Sequence, residues 1–400
     1  MSLQFIIGSS GSGKSCYAYQ NIIEQAGLHP EKLFFVIVPE QFTMHTQEEL
    51  VAMHPKHAIM NIDVLSFDRV AYRIFDELGK TNMAVLEETG KNLVLRKVAE
   101  ERMDDLCVMQ GNMKKMGYIS EVKSLISELT QYNIDPDTLE TFIEEQNMPP
   151  AFSYKLQDIL TMYRGFRSAI SGMYITAEEV LEAFCDMAEE SKLLQDAVLV
   201  FDGFTGFTPI QNNVLYRLMG IVSDIYVTVT IDPAEDIYSY HDMQELFAMS
   251  KKTVASLMKM AEEKHFEVTE PVVLKNPKAD RFREAPVLRF LEQNLFRTRH
   301  HSYEKKDEKE IKEGIEILSL PNPRRELQYA AEEIARLVHT GAYRYRDFAI
   351  ISGAIEEYGS YVPQIMEEFG IPFFLDTTKN ILLHPFLEFV RSLLQVIEDN

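Results

Sequence analysis

Short apolar runs alternate with stretches of helical periodicity at both ends of the chain, and a purely helical texture lies between them. Residues 3–7 read as a short buried strand, and apolar runs at 32–38 and 59–65 read as two more. Between them the pattern predicts helices over 14–25, stopped by Gly27 with Pro30 just beyond, and over 66–78, with Ser66 placed to cap it. Such alternation indicates a parallel sheet with helices on both faces. Strand signals then vanish. Leu93, Val94, Val98 and Met103, then Ile119, Val122, Leu125, Ile126 and Leu129, recur at helical spacing, which predicts a helical insertion over 86–190 with breaks near 133–136 and 149–150. Strands resume at 197–201, ending on Asp202, and at 225–231, ending on Asp232-Pro233. A stretch of mixed charge, 304–310, reads as a linker. After it the pattern predicts strands at 315–320, 347–352 and 371–375, with helices at 325–340, 356–369 and 385–397. No closing strand follows the last helix, so the chain is expected to be part of something longer.

The first strand runs into Gly8-Ser9-Ser10-Gly11-Ser12-Gly13-Lys14-Ser15, which fits the phosphate-binding pattern G-x-x-x-x-G-K-[ST]. Each position has a chemical reason. Glycines let the backbone wrap its N–H groups around phosphate oxygens. Lys14 is expected on the β and γ phosphates and Ser15 on Mg²⁺, while the helix that follows points its positive N-terminus at the phosphates. The competing reading is a Gly/Ser-rich turn that binds nothing. Cys16, in the first helical turn, reads as a small packing residue.

A P-loop enzyme also needs an apolar strand that ends in an acid, to hold Mg²⁺ through water. Val198-Leu199-Val200-Phe201-Asp202 supplies one. Hydrolysing helicases usually carry a glutamate next, to act on the attacking water; here the next residue is Gly203. Loss of a general base typically costs roughly 10²- to 10⁴-fold in rate. The sequence therefore favours nucleotide binding over fast turnover.

Charge and cysteine usage narrow the picture. The chain has 400 residues, with 40 Lys and Arg against 62 Asp and Glu, a formal charge of −22. So acidic a chain is a poor nonspecific nucleic-acid binder, although a locally basic groove or a basic partner is compatible with DNA contact. Cys16, Cys107 and Cys185 lie far apart with no metal-ligand spacing, which argues against a disulfide framework or a structural zinc site and for a reducing, cytoplasmic compartment. The longest purely apolar run, 33–38, is six residues. A membrane-spanning helix needs about 20, and no basic-then-apolar leader opens the chain.

Beyond the P-loop, several segments resemble UvrD-like superfamily-one helicases. Residues 202–211, Asp-Gly-Phe-Thr-Gly-Phe-Thr-Pro-Ile-Gln, resemble their DEFQDTNxxQ segment with the glutamate lost. Residues 231–238 resemble GDPDQSIY, with Glu235 where a phosphate-sensing glutamine stands. Residues 64–69 resemble TFHS, which touches single-stranded DNA, and residues 291–297 resemble LERNYRS, which supplies an arginine to the γ-phosphate from the second motor domain. Together with Val-Pro-Glu-Gln-Phe-Thr at 38–43, this order is similar to the AddB/RexB family, the B subunits of ATP-dependent helicase/deoxyribonucleases.

The resemblance implies a P-loop RecA-like parallel-sheet domain (1–85 and 191–284) interrupted by the helical insertion, then part of a second RecA-like α/β domain (285–400). It implies ATP and Mg²⁺ held by residues 8–15, Asp202 and Arg297, and DNA contacts from Phe42, Ser66 and Phe67. It implies a heterodimer with the family's A-type helicase/nuclease chain, which carries the motor, for processing double-strand breaks in recombinational repair. It also implies a part in recognising the single-stranded Chi region. A [4Fe-4S] cluster belongs only to the full-length family, in a nuclease domain beyond residue 400; its ligands are not in this chain. Only seven residues precede Gly8, which leaves no room for the upstream glutamine segment that clamps adenine. Two other readings stay open from the residues alone: a free-standing P-loop nucleotide kinase or NTPase, and a non-catalytic scaffold with a vestigial P-loop.

Overall fold

The computed structural model describes residues 1–80, 84–113, 115–146, 148–171, 173–275, 280–297, 301–303, 308–376, 381 and 384–398. It divides into two compact units, Met1–Asp307 and Glu308–Asn400.

The first unit opens with β1 (Ser2–Gly8), α1 (Lys14–Leu28), β2 (Phe34–Ile37), α2 (Thr43–Met53), β3 (Ile62–Leu65) and α3 (Phe67–Glu77). A mainly helical stretch follows: β4 (Ala84–Leu86), α4 (Glu88–Glu101), α5 (Met116–Gln131), α6 (Pro136–Glu145), α7 (Pro150–Ile170), β5 (Tyr174–Thr176) and α8 (Val180–Met187). The sheet resumes with β6 (Val198–Phe201), α9 (Pro209–Leu218), β7 (Asp224–Thr230), α10 (Ala248–Glu263), β8 (Glu267–Val268) and β9 (Val272–Val273), and α11 (Pro286–Asn294) closes the unit.

The main sheet has the order β3-β2-β6-β7-β1-β8, with β9 also on β1. Its pairings are parallel throughout, as alternating strands and helices require. The strands are buried on both faces. Phe5, Phe35, Ile37, Leu199 and Phe201 face one core, with α3, α8, α9 and α10. Ile6, Phe34, Val36, Val198 and Val200 face the other, under Ala18, Tyr19 and Ile22 of α1. Register puts Gly8 opposite Thr230 and Phe201 opposite Val227, so β7 separates the P-loop from Asp202 at the carboxyl edge of the sheet. In open parallel sheets that edge is where ligands bind.

Residues 86–170 build a separate core from α4, α5, α6 and α7. Buried polar groups pin it. The Asp158 carboxylate accepts from the backbone N–H groups of Cys107, Val108 and Met109 at 2.7–2.8 Å. The buried Lys91 ammonium bonds Glu88 at 2.9 Å and Glu178 at 2.8 Å. The segment is not wholly helical: β4 and β5 pair in parallel over three residues each. Its last helix, α8, packs into the main core through Val180, Leu181 and Phe184.

The division between the units puts α11 and Arg297 in the first. Part of the predicted linker, 304–307, lies outside the described residues, and the rest opens α12 (Glu308–Gly314). The second unit continues with α13 (Pro323–His339), α14 (Ile355–Gly359), α15 (Val362–Glu368) and α16 (Pro385–Glu398). Leu327, Ala331, Ile334, Val362, Ile365 and Met366 form its core. The strands predicted at 315–320, 347–352 and 371–375 form no ladder among the described residues. Apolar alternation makes a segment suitable for a sheet, but a strand exists only when its N–H and C=O groups find a partner strand. Ile351 and Phe374 are accordingly 93% and 90% exposed. No helix among the described residues is long and apolar enough to cross a membrane.

Candidate nucleotide site

The loop after β1 brings its residues together as the motif requires. Gly8 ends the strand, Gly13 caps α1, and Lys14 and Ser15 begin the helix. Within the loop, the Ser9 carbonyl accepts from Ser12 N–H at 3.2 Å and from Lys14 Nζ at 2.9 Å. Among the described residues the buried Ser12 hydroxyl has no hydrogen-bond partner. Gly11 (φ 72°) lies so close to a neighbouring turn that an added Cβ would stand 3.0 Å from Arg281 Cβ and 3.0 Å from the Phe282 ring.

A cavity of about 890 Å³ opens over this loop, walled by Ser10, Gly11, Lys14, Ser15, Asp202 and Arg281, with Phe42, Glu49 and Thr228 further round. Its size is that of ordinary small-ligand sites. Burial lowers the Lys14 ammonium to about 8; Asp202 and Glu292 oppose the shift, and Arg281 adds to it. An anion bound here would restore the charge that burial disfavours.

Asp202 follows β6 and is itself buried. The Tyr19 hydroxyl donates to its Oδ2 at 2.7 Å and the Thr228 hydroxyl to its Oδ1 at 2.6 Å. Burial, then Asp202, raises Tyr19 far above an ordinary phenol, which keeps it a donor. Neither Tyr19 nor Thr228 is a motif residue; Tyr19 reads in the sequence as part of the apolar face of a helix. Ser15 and Asp202 wall the same cavity, so their oxygens suit a cation bridged to nucleotide phosphates. Among the described residues no group of three or more His, Cys, Asp or Glu side chains could hold a metal by itself.

Gly203 takes φ 79°. The loop beyond it turns its aromatics inward: Phe204 and Phe207 lie 5.5 and 6.1 Å from the Phe67 ring, which also meets Phe201 at 5.6 Å. Thr208 and Gln211 then form a capping box, with Pro209 in the first turn of α9. Much of the 202–211 segment thus serves local folding.

The remaining expected contacts divide by burial. Ser66 caps α3, its hydroxyl accepting from Arg69 N–H at 3.4 Å. Phe67 is 6% exposed and sits inside the aromatic cluster, and Ser66 is buried as well. Phe42, on the cavity wall, is 46% exposed. Arg297, expected from a second domain, pairs with Asp232 at 2.9 Å and lies 4.8 Å over the Phe247 ring. It is not among the residues described as walling the Lys14 cavity. Glu235 is held 2.9 Å from the buried Lys251.

The family model described as "ADDB, N-terminal" matches residues 5–292. The chain belongs to this family. Three relatives illustrate its spread, each named as the B subunit of an ATP-dependent helicase/deoxyribonuclease. The protein of Lachnoclostridium phytofermentans is 41% identical over 403 residues, covering 100% of this chain and 35% of its own length. That of Caldanaerobacter subterraneus subsp. tengcongensis is 32% identical over 403 residues, covering 100% and 34%. That of Clostridium tetani is 31% identical over 405 residues, again 100% and 34%. The chain thus spans about a third of the length of these relatives, and the AddB segment it represents holds the P-loop and Asp202 on one sheet edge.

Proposed function

We propose that the chain is the nucleotide-binding, helicase-like part of a helicase/deoxyribonuclease B subunit, which binds Mg-ATP and turns it over slowly or not at all. The observation that carries this reading is one cavity walled by Lys14, Ser15 and Asp202, with glycine at the position after Asp202. The loop's backbone N–H groups other than that of Ser12, together with Lys14, would neutralise the phosphate oxygens. Ser15 and Asp202 would hold Mg²⁺, directly and through water, and the ion would neutralise the remaining phosphate charge. No carboxylate follows Asp202 to take a proton from an attacking water. Of the other acids on the cavity wall, Asp280 is paired with Arg289, while the exposed Glu49 lies 3.4 Å from His45.

The relatives' names, B subunits of helicase/deoxyribonucleases, support extending the proposal to a partner chain and DNA as substrate; break processing for recombinational repair and a part in Chi recognition are proposed with them on the helicase-like segments alone. The chain's −22 charge fits a division of labour in which a partner supplies much of the DNA contact. A reducing, cytoplasmic setting suits the three free cysteines.

The test is a titration of the chain with Mg-ATP, with Lys14→Ala as control, and phosphate release followed in the same samples. Binding lost in Lys14→Ala, with negligible release in either protein, supports the proposal. Turnover at ordinary enzyme rates of about 1–10³ s⁻¹ would overturn the slow-site reading and favour a free-standing NTPase or kinase. Absence of binding would leave a scaffold with a vestigial P-loop.

A further inference from the structure

We propose that Arg281 is a phosphate-binding residue, whose guanidinium engages the phosphate chain of a nucleoside di- or triphosphate held by the P-loop. The inference rests on the nucleotide-binding reading above and adds a residue outside every motif.

The turn that carries Arg281 is built onto the P-loop. Its backbone N–H donates to the Gly11 carbonyl at 3.0 Å. A Cβ added at Gly11 would stand 3.0 Å from Arg281 Cβ and 3.0 Å from the Phe282 ring, so a side chain there would press on this turn, and the left-handed φ of 72° favours glycine as well. The turn is also stiff. Asp280 Oδ1 accepts from Phe282 N–H at 2.9 Å, the Asp280 carbonyl from Arg283 N–H at 3.2 Å, and the Phe282 carbonyl from Ala285 N–H at 3.0 Å. The Asp280 carboxylate pairs with Arg289 of α11. The base of the Arg281 side chain is therefore fixed relative to the phosphate loop.

The Arg281 side chain is exposed, and its charge acts on Lys14. Arg281 walls the same cavity as Lys14, Ser15 and Asp202. Two nearby arginines are committed, Arg289 to Asp280 and Arg297 to Asp232. Among the described residues no ion pair or side-chain hydrogen bond engages the Arg281 guanidinium, although acids outnumber bases 62 to 40 in the chain. Two cations on one cavity wall repel each other unless an anion lies between them. A phosphate chain supplies that anion, and a guanidinium can bind it through paired N–H donors.

Affinity for Mg-ATP and Mg-ADP, measured on the 400-residue chain and on Arg281→Gln, Arg281→Lys and Lys14→Ala, tests the assignment, with thermal melting run beside it. Arg281→Gln should weaken both nucleotides roughly tenfold or more, the usual size for a charge-assisted contact, with a shallower salt dependence and an unchanged melting point. Arg281→Lys should fall between. Wild-type affinity in Arg281→Gln, with Lys14→Ala still inactive in binding, would overturn the Arg281 assignment and leave the nucleotide reading intact. Absence of nucleotide binding by the wild-type chain would overturn both. If Arg281→Gln melts early, Arg281→Ala decides: weakened binding by the folded Arg281→Ala chain supports the contact, and wild-type affinity rejects it.

Discussion

The Tyr19 hydroxyl donates to Asp202 Oδ2 at 2.7 Å, joining the helix after the P-loop to the strand end where Mg²⁺ is expected. Thr228 donates to the other oxygen at 2.6 Å, from the strand lying between the two. Three elements far apart in sequence are thus tied at one buried carboxylate. Their shared acceptor fixes Asp202 before any ligand arrives, which is the preorganisation a metal-bridging carboxylate needs.

Removing one donor leaves that carboxylate buried and half-satisfied. Tyr19→Phe keeps the ring in its core and should lower stability by about 1.5–3 kcal/mol, the range for a hydrogen bond to a charged group. Thr228→Val should act in the same range. Because both act through Asp202, the double variant should depart from additivity by at least about 0.5 kcal/mol in urea unfolding. Strict additivity would mean that the two hydroxyls do not share Asp202 in solution.

If the P-loop binds nucleotide as proposed, Lys14 should make that binding pH-dependent. Burial holds the free ammonium near about 8, and phosphate oxygens favour its charged form, so binding raises its pKa. Affinity for Mg-ATP should then be flat below about pH 8 and fall above it, by up to about tenfold per pH unit until the bound-state pKa is reached. Calorimetry in buffers of different ionisation enthalpy should show proton uptake on binding above about pH 8. Flat affinity up to about pH 9.5 without proton uptake would exclude Lys14 as the titrating contact.

The parts legible in the sequence were those set by neighbours along the chain. A strand, a glycine-rich turn and a helix start are local, and so was Asp202 at the end of an apolar run. The supports of the site were not. Tyr19 occupies an apolar helix position, and only the packing of α1 against β6 shows that its hydroxyl reaches a residue 183 positions away. Arg281 sits in a polar turn with no motif. Resemblance placed Ser66 and Phe67 at DNA, but Phe201, Phe204 and Phe207 enclose Phe67, and the cap of α3 uses Ser66. Alternation in 315–375 marked segments fit for a sheet, yet a ladder needs a partner that periodicity does not reveal.

Gly203 looks like a lost general base that one substitution could restore. Its backbone sets a stability cost. At φ 79° a side chain is strained by about 1–2 kcal/mol, although an added Cβ would make only an ordinary contact, 3.7 Å from Pro39 Cδ. Gly203→Glu should therefore lose about 1 kcal/mol of stability, as Gly203→Ala should, and only Gly203→Glu should raise phosphate release; no gain over wild type would show that other parts of the hydrolytic machinery are missing too. Turnover well above wild type in Gly203→Glu would show that the missing carboxylate alone limits hydrolysis.

Phe42 and Phe67 separate DNA contact from core packing. Phe67→Ala opens a hole among three other phenylalanines and should cost about 3–5 kcal/mol in denaturant unfolding, so any loss of DNA affinity in that variant reports folding first. Ser66→Ala removes a helix cap and should cost about 1 kcal/mol. Phe42 is exposed on the cavity wall, and Phe42→Ala should change stability by less than about 0.5 kcal/mol. Stacking of a base on an aromatic ring is worth about 1–3 kcal/mol. In the full-length protein with its partner, Phe42→Ala should therefore weaken single-stranded DNA binding roughly five- to a hundredfold if that ring is a contact. Unchanged affinity there, with Phe67→Ala harmful only through stability, would remove all three residues from the DNA path and leave this face to the nucleotide alone.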